Sequence, residues 1–559
     1  MLTNAELASW FEKIAELKEL AGENAFAANA YRRAGQVLER TAQPVAEMEP
    51  ALREQTLGKG MAAKATYWLA LGSAPELEEL EATIPEGVLR MLEVPGFGVK
   101  KVGTLWREHK IEDFEELVAR AEAGTLAQLP GFGKGTQEAF LKHLATVREQ
   151  EGKWWLHKAT AAADEAIDAL LPLPSVADAV VVGQLARSCE VVEEVAVLAG
   201  LSADTPSHTL LEAMPLFSLD RSRSGPGIYK GTWGGRGHFA LYTCPAAQMA
   251  QEQVLLTGPA TFLARAAKGG GTIAAAIRKG EAGIGEFERV TAAWGTYLEP
   301  ELRDTPEAAP ADGGRLVELA DIKGILHCHS NYSDGQNSLQ EMAAHCQALG
   351  YAYFGIADHS QTASYANGLS EERLLRQWEE IDRLNEQMAP FKILKGIESD
   401  ILPDGSLDYP DRILAQFDYV VASVHAGLRM SADKATERLL RAIQNPYTTI
   451  LGHATGRLLL KREGYPLDME AIIETAARHK VSIEINANPH RLDLDWRFVY
   501  QATQAGVLLS INPDAHKLAG FDDMRYGVAV ARKGGLQPAA CLNTLHLPDF
   551  MAWLAGRRP

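Results

Sequence analysis

Apolar positions recur at helical spacing from the start of the chain. Leu7, Phe11, Ile14 and Leu17 form one stripe, and Phe26, Tyr31, Val37 and Leu38 begin a second. This period predicts helices to about residue 170, punctuated by glycine turns at 58–60, 96–98 and 131–133. Between about 175 and 260, short β-branched or aromatic runs (180–182, 195–198, 239–242) predict strands, and a helical pattern then returns to about 297. Residues 300–314, with Pro306, Ala308, Ala309, Pro310, Gly313 and Gly314, carry no period and read as an interdomain linker. Beyond about 320, seven apolar runs (322–326, 351–356, 393–397, 419–424, 448–451, 481–485, 507–511) alternate with helical stripes such as 339–349 and 435–443. Seven repeats of strand then helix predict a parallel sheet, closed or nearly closed into a barrel.

Composition narrows the class. At 559 residues there is room for about three or four domains. A 46% hydrophobic, 23% charged composition supplies several cores and excludes a mainly disordered chain. No apolar run approaches the roughly 20 residues of a membrane helix, and Met1-Leu2-Thr3-Asn4-Ala5-Glu6 lacks the layout of a secretory signal. Cys189, Cys244, Cys328, Cys346 and Cys541 are widely spaced without a CxxC, which predicts a reducing cytoplasm and neither disulfides nor a thiolate zinc site. With 55 basic and 73 acidic residues the net charge is −18, so any nucleic acid is expected to be held by local basic spots and backbone donors.

The ends of the apolar runs carry the chemistry. In order they lead to His327-Cys328-His329 with Asp334, Asp358-His359, Glu398, His425, His453, Asn486 and Asp514-Ala515-His516. Residues at the carboxyl ends of barrel strands converge on one mouth. Nine groups (His327, His329, Asp334, His359, Glu398, His425, His453, Asp514, His516) are therefore expected to share a volume. His345, His479, His490 and His546, which do not sit at matching strand ends, are expected at the surface or in packing. Crowded carboxylates and imidazoles need cations to coexist. At about four to six ligands per ion, with some bridging, the set suits two or three divalent metals, and its N and O donors favour Mn, Zn or Fe. Such a centre supports metal-assisted phosphoester hydrolysis.

In the first half, Val94-Pro95-Gly96-Phe97-Gly98-Val99-Lys100 and Leu129-Pro130-Gly131-Phe132-Gly133-Lys134-Gly135 are near-repeats. Their glycines allow close backbone approach, and each following helix offers free N–H groups to a phosphate. Gly96, Gly98, Lys100, Lys101, Gly131, Gly133 and Lys134 are thus expected to hold phosphate groups without reading sequence, and the resemblance of these turns to helix-hairpin-helix motifs implies that the phosphates are those of DNA.

The residues also resemble known families. His327 to Gly335, Ala357-Asp358-His359-Ser360, Gly396-Ile397-Glu398, Ser423-Val424-His425, Gly452-His453 and Asp514-Ala515-His516 resemble, in order, the motifs of the PHP (polymerase and histidinol phosphatase) phosphoesterases. The resemblance implies a distorted (β/α)7 barrel with a trinuclear metal centre, Mn or Zn, Asp358 beside His359, and Arg457 and Arg491 as phosphate contacts. The glycine repeats resemble helix-hairpin-helix motifs, with Leu57-Gly58-Lys59-Gly60-Met61 a degraded copy. Glu23-Asn24-Ala25-Phe26, Ala30 to Ala34 and 298–303 then extend a likeness to bacterial X-family DNA polymerases over essentially the whole chain.

That likeness implies a multidomain layout: a small helical lyase-like domain at 1–80, a helix-hairpin-helix region at 81–150, an α+β nucleotidyltransferase-like palm at 151–232, palm end and thumb at 233–304, a linker at 305–318 and the PHP barrel at 319–559. It aligns Lys64 with a Schiff-base lysine. In the palm it aligns Glu194, Ala196 and about Ala240 with three metal-holding aspartates, leaving Glu194 as the remnant for any Mg or Mn. The implied activity is a metal-dependent 3′–5′ exonuclease of DNA 3′ or gapped ends beside a degenerate palm. A Mn-dependent gap-filling polymerase, a non-enzymatic DNA-end binder and a small-molecule phosphatase stay open at this point.

Overall fold

The fold is taken from a computed structural model that describes residues 4–23, 25–41, 44–92, 94, 96–202, 206–280, 284–311 and 314–557. Asn24, Pro95 and Gly313 of the motifs above lie outside the described residues. The chain divides into two compact units, 1–151 and 152–559.

The first unit is helical among its described residues. Leu7, Phe11, Ile14, Leu38 and Trp68 close one core, as the 3.6-residue period dictates. Val88, Met91, Phe97, Leu105, Leu117, Phe132 and Phe140 close a second. Phe26, expected within the second stripe, is exposed.

The second unit opens with a two-stranded ribbon, β1 (Trp154–Trp155) and β3 (Val191–Val192). A mixed five-stranded sheet follows in the order β2-β4-β7-β6-β5, from β2 (Val176–Val182), β4 (Val195–Leu201), β5 (Phe217–Leu219), β6 (Ile228–Trp233) and β7 (Gly237–Pro245). The helix Leu156–Leu170 buries an alanine-rich face (Ala159, Ala163, Ala166) in the same core as Val195, Val197 and Phe239.

The alternating region folds into parallel strands. β8 (Gly324–Leu326), β9 (Tyr353–Gly355) and β10 (Lys392–Leu394) form one sheet; β11 (Gly396–Asp400), β12 (Tyr419–Ser423), β13 (Ile450–Leu451), β14 (Ser482–Asn486) and β15 (Leu509–Asn512) form another. The run 393–397, expected as one strand, is shared between β10 and β11, which pair with different neighbours. Isolated parallel bridges His359–Glu398 and Cys328–Ala515 stitch the two sheets at both seams.

The stretch expected as a linker is a packed strap. Leu302, Arg303, Pro306 and Ala308 are buried, and the Val317 N–H donates to the Leu536 carbonyl at 2.9 Å. Proline and alanine removed the period that marks an element, but not the apolar surface that packs. Asp304 anchors the strap, paired with Arg187 at 3.0 Å and with the fully buried Lys533. Trp155 Nε1 donates to Leu459 O at 2.8 Å, and Trp496 Nε1 to Glu190 at 2.7 Å, locking the mixed sheet onto the parallel strands.

Burial pushes the Asp304 carboxyl up, but the Lys533 and Arg187 charges outweigh it and hold it below its ordinary value. A carboxylate depressed on folding stabilises above its unfolded value and loses that contribution as pH falls through the folded one, so this anchor fails below about pH 4. Asp304→Asn, which leaves Lys533 buried beside an amide, is expected to cost about 3 kcal/mol at pH 7 and to flatten the acid limb of stability. Lys533 Nζ lies 4.4 Å from the Trp496 ring centre, so tryptophan fluorescence during unfolding reads it; an unchanged melting point refutes the anchor.

Candidate metal centre

The two ends of the parallel array meet through strained residues. His327 follows β8 with φ +84° and Asp514 follows β15 with φ +52°, a region that costs a non-glycine residue about 1–3 kcal/mol. Asp514 N–H donates to His327 O at 3.1 Å and His329 N–H to Ala515 O at 2.9 Å, fixing both turns at the seam.

Glu398 is the hub. It lies mid-strand in β11, 1% exposed, so its carboxylate stays within the strand array. Its Oε1 lies 3.3 Å from His327 Nε2, 3.3 Å from His425 Nε2 and 3.0 Å from His453 Nε2. Its Oε2 lies 3.1 Å from His359 Nδ1 and 3.7 Å from His329 Nε2. Asp514 meets His329 at 3.0 Å, and Asp334 meets His516 at 3.4 Å and His359 at 3.6 Å. All nine expected residues are thereby brought together. Three subsets have ligand atoms within 4.8 Å of one another: His329, Asp334, His359 and His516; His327, His329 and Asp514; His359, Glu398 and His425. His329 and His359 each belong to two of them, so the three sets adjoin one another.

The donor set fits divalent cations. His327 Nε2, His329 Nδ1, His359 Nδ1 and His453 Nδ1 are buried without a hydrogen-bond partner, a costly condition for a neutral imidazole nitrogen unless a cation takes its lone pair. Burial opposes charge on Glu398 and Asp514, yet the surrounding histidines hold both well below the ordinary carboxylate range. Against the same burial, Glu398 and Asp400 lift His425 to about 10, while Asp334 and Asp514 lift His516 to about 9. Burial, with His516 and His359 beside it, drops His329 to about 3. The acids demand positive charge, and some imidazoles are left as lone-pair donors.

A second layer, absent from the sequence reading, orients these rings. Glu484 on β14, fully buried, accepts from His327 Nδ1 at 2.7 Å, from the His453 N–H at 2.9 Å and from Asn512 Nδ2 at 3.0 Å. That bond puts the His327 proton on Nδ1 and leaves Nε2 facing Glu398 and Asp514. Asp400 does the same for His425 Nδ1 at 2.6 Å. An acid inside the apolar run Ser482–Asn486 was the available signal for Glu484.

Two expectations change. Asp358 does not support the His359 ring; it accepts from Ser330 N at 2.8 Å, Ser330 Oγ at 2.7 Å, Ser333 Oγ and Gln377 Nε2 at 2.6 Å, bracing the loop between His329 and Asp334. Arg457 is not available to a phosphate, because its guanidinium bonds Asp495 and the carbonyls of Arg491 and Leu492. Arg491 does reach the centre, its Nε 3.8 Å from Asp514.

Elsewhere, Lys64 pairs with Glu76, whose other oxygen accepts from Tyr31 at 2.7 Å. Partial burial would lower Lys64, but Glu76 and Tyr31 hold it above its ordinary value, opposite to what a Schiff-base amine needs. Gly96 and Gly131 have φ of +84° and +86°, while Gly98 and Gly133 are extended caps of the helices that follow. A Cβ at any of the four would meet open space, so the glycines answer to backbone conformation and outside access rather than internal packing. Phe97 and Phe132, rings 6.1 Å apart, pin the turns; Lys100 and Lys134 are exposed and Lys101 is half-buried over Phe97. In the mixed sheet Ala196 on β4 is in register with Ala240 on β7. Glu194 is spent on Lys230 at 2.8 Å and Arg223 at 3.4 Å, and among the described residues no set of three metal-binding side chains forms there.

A helix-hairpin-helix domain model matches residues 2–74, which include the 58–60 turn but not those at 96–98 and 131–133, and a PHP domain model matches 326–488. The chain is 34% identical to the DNA polymerase/3′-5′ exonuclease PolX of Bacillus subtilis over 97% of its own length and 98% of that protein's. It is 31% identical to a probable phosphatase of Thermoanaerobacter, over 29% of this chain and 67% of that one, and 26% identical to one of Vibrio campbellii, over 43% and 96%. No helix among the described residues is long and apolar enough to cross a membrane. Identity of this order along nearly the full length of both chains, with matching domains towards its two ends, shows that the chain belongs to the PolX family of bacterial X-family DNA polymerases.

Proposed function

We propose that this chain is a DNA repair nuclease whose 319–559 barrel removes nucleotides from 3′ ends with two or three divalent cations, Mn or Zn. The observation that carries it is the convergence of six histidines and three acids with four orphaned imidazole nitrogens. The cations, when bound, supply Lewis acidity to the phosphoryl oxygen and a water-derived nucleophile at neutral pH. The chain's own groups do the rest: Glu484 and Asp400 fix the tautomers of His327 and His425, Asp358 holds the His329–Asp334 loop, and Arg491 steadies the phosphate.

The domains read as a small helical domain at 1–80, a hairpin region at 81–150, palm and thumb at 151–304, the strap at 305–318 and the barrel. The exposed Gly98, Gly133 and Lys134 suit backbone phosphates, and free thiols at all five cysteines suit a reducing cytoplasm. The mixed sheet serves as a palm that holds DNA without polymerising it. A 5′-labelled oligonucleotide is expected to shorten from its 3′ end, to stop with chelator and to resume with Mn. If histidinol phosphate is cleaved while DNA is untouched, the small-molecule phosphatase reading replaces this one.

A further inference from the structure

Tyr365 stands apart in the surroundings of the metal centre. It sits on the short 3-10 turn Ser364–Ala366, and at 70% exposure it is the most exposed large hydrophobic residue among the described residues of 152–559. Its ring centre lies 6.1 Å from that of His359 and 6.4 Å from that of His425. The exposure is imposed by a well-anchored loop. Thr362 N–H donates to Asp408 at 2.8 Å, Gln361 to the Asp408 carbonyl at 2.7 Å, and Gly368 N–H to Ala363 O at 3.0 Å. Ala363 and Ala366, on either side of Tyr365 in the sequence, are buried. A Cβ at Gly368 would lie 1.9 Å from the Ser360 carbonyl, so the loop closes tightly there. The backbone is thus held while an apolar face is left in water beside the reacting volume, an arrangement that serves a flat ligand.

Resting on the nuclease reading, we propose that Tyr365 is a stacking platform for the terminal nucleobase of a DNA strand whose phosphodiester lies at Glu398 and Asp514. Every base presents a π face, so the contact binds without regard to sequence. It distinguishes a nucleotide from a phosphoester that carries no ring. Arg491, beside Asp514, supplies the complementary charge to the phosphate.

The test uses the full-length Mn-loaded chain and two single-stranded oligonucleotides, one ending in 2-aminopurine and one in an abasic sugar. Tyr365→Ala is expected to raise KM about tenfold on the 2-aminopurine strand with kcat little changed, and to leave the abasic strand alone. Tyr365→Phe is expected to restore KM, because the ring and not the phenol makes the contact. Quenching of 2-aminopurine fluorescence on binding should vanish in Tyr365→Ala and persist in Tyr365→Phe. Equal effects on both strands, or quenching that survives Tyr365→Ala, overturns the proposal. If the wild type cleaves neither strand the nuclease reading fails, and the quenching still decides on the platform.

Discussion

Glu398→Gln is expected to reduce hydrolysis of a DNA 3′ end by at least about a thousandfold, with loss of bound metal and no loss of fold. The amide keeps the volume of the side chain and removes its charge. Five imidazoles (His327, His329, His359, His425 and His453) lie within 4.0 Å of that one carboxylate. Loss of a supporting partner around a metal typically costs about 10–100-fold. Glu398 stands one layer further in, a member of one candidate ion set and within reach of histidines of the other two, so its effect should be larger. Metal content by plasma mass spectrometry, kcat on a labelled strand and far-ultraviolet dichroism read the three parts. A Glu398→Gln protein that keeps wild-type activity and metal would refute the centre.

Primer extension on gapped DNA with Mn is expected to stay at background, and Glu194→Ala to leave it there. Two cations at a polymerase centre need several carboxylates to hold and place them. Here two of the three aligned positions are Ala196 and Ala240, buried and in register on neighbouring strands. The third, Glu194, is neutralised by Lys230 and Arg223, and Lys230 stands on β6 directly opposite Ala240. A cation would have to displace an ammonium to find one ligand. The region therefore offers positive side chains where the aligned motif offers aspartates, which suits holding phosphates. Robust synthesis lost on Glu194→Ala would reverse this view of the palm.

The nine converging residues were legible because strand and helix alternation is written in the period of apolar positions, and the strand ends of a parallel array share a rim. His327, His359, His425 and Asp514 each close an apolar run, so position along the chain implied position in space. Glu484 and Asp400 were not legible in the same way. Both lie within strands, at positions occupied in most strands by packing residues, and their value depends on which ring stands opposite. Arg457 erred in the other direction, since an arginine near the mouth does not reveal that Asp495 and two carbonyls have claimed its guanidinium. The strap at 300–311 shows the same limit for packing. Its composition carries no apolar period, although it folds as the short 3-10 turns Pro300–Asp304 and Pro306–Ala308, and only the tertiary fold set Asp304 against the buried Lys533, far apart in sequence.

The sequence by itself determined the helical first region, the parallel array, the nine converging groups and the two alanines of the mixed sheet, because periodicity and residue type are local properties. Tertiary structure decided which nitrogen of each histidine faces inward, which arginine is free and which tyrosine is left in water. Those depend on a single partner within hydrogen-bond or contact distance, and no local pattern encodes a partner that arrives from elsewhere in the chain.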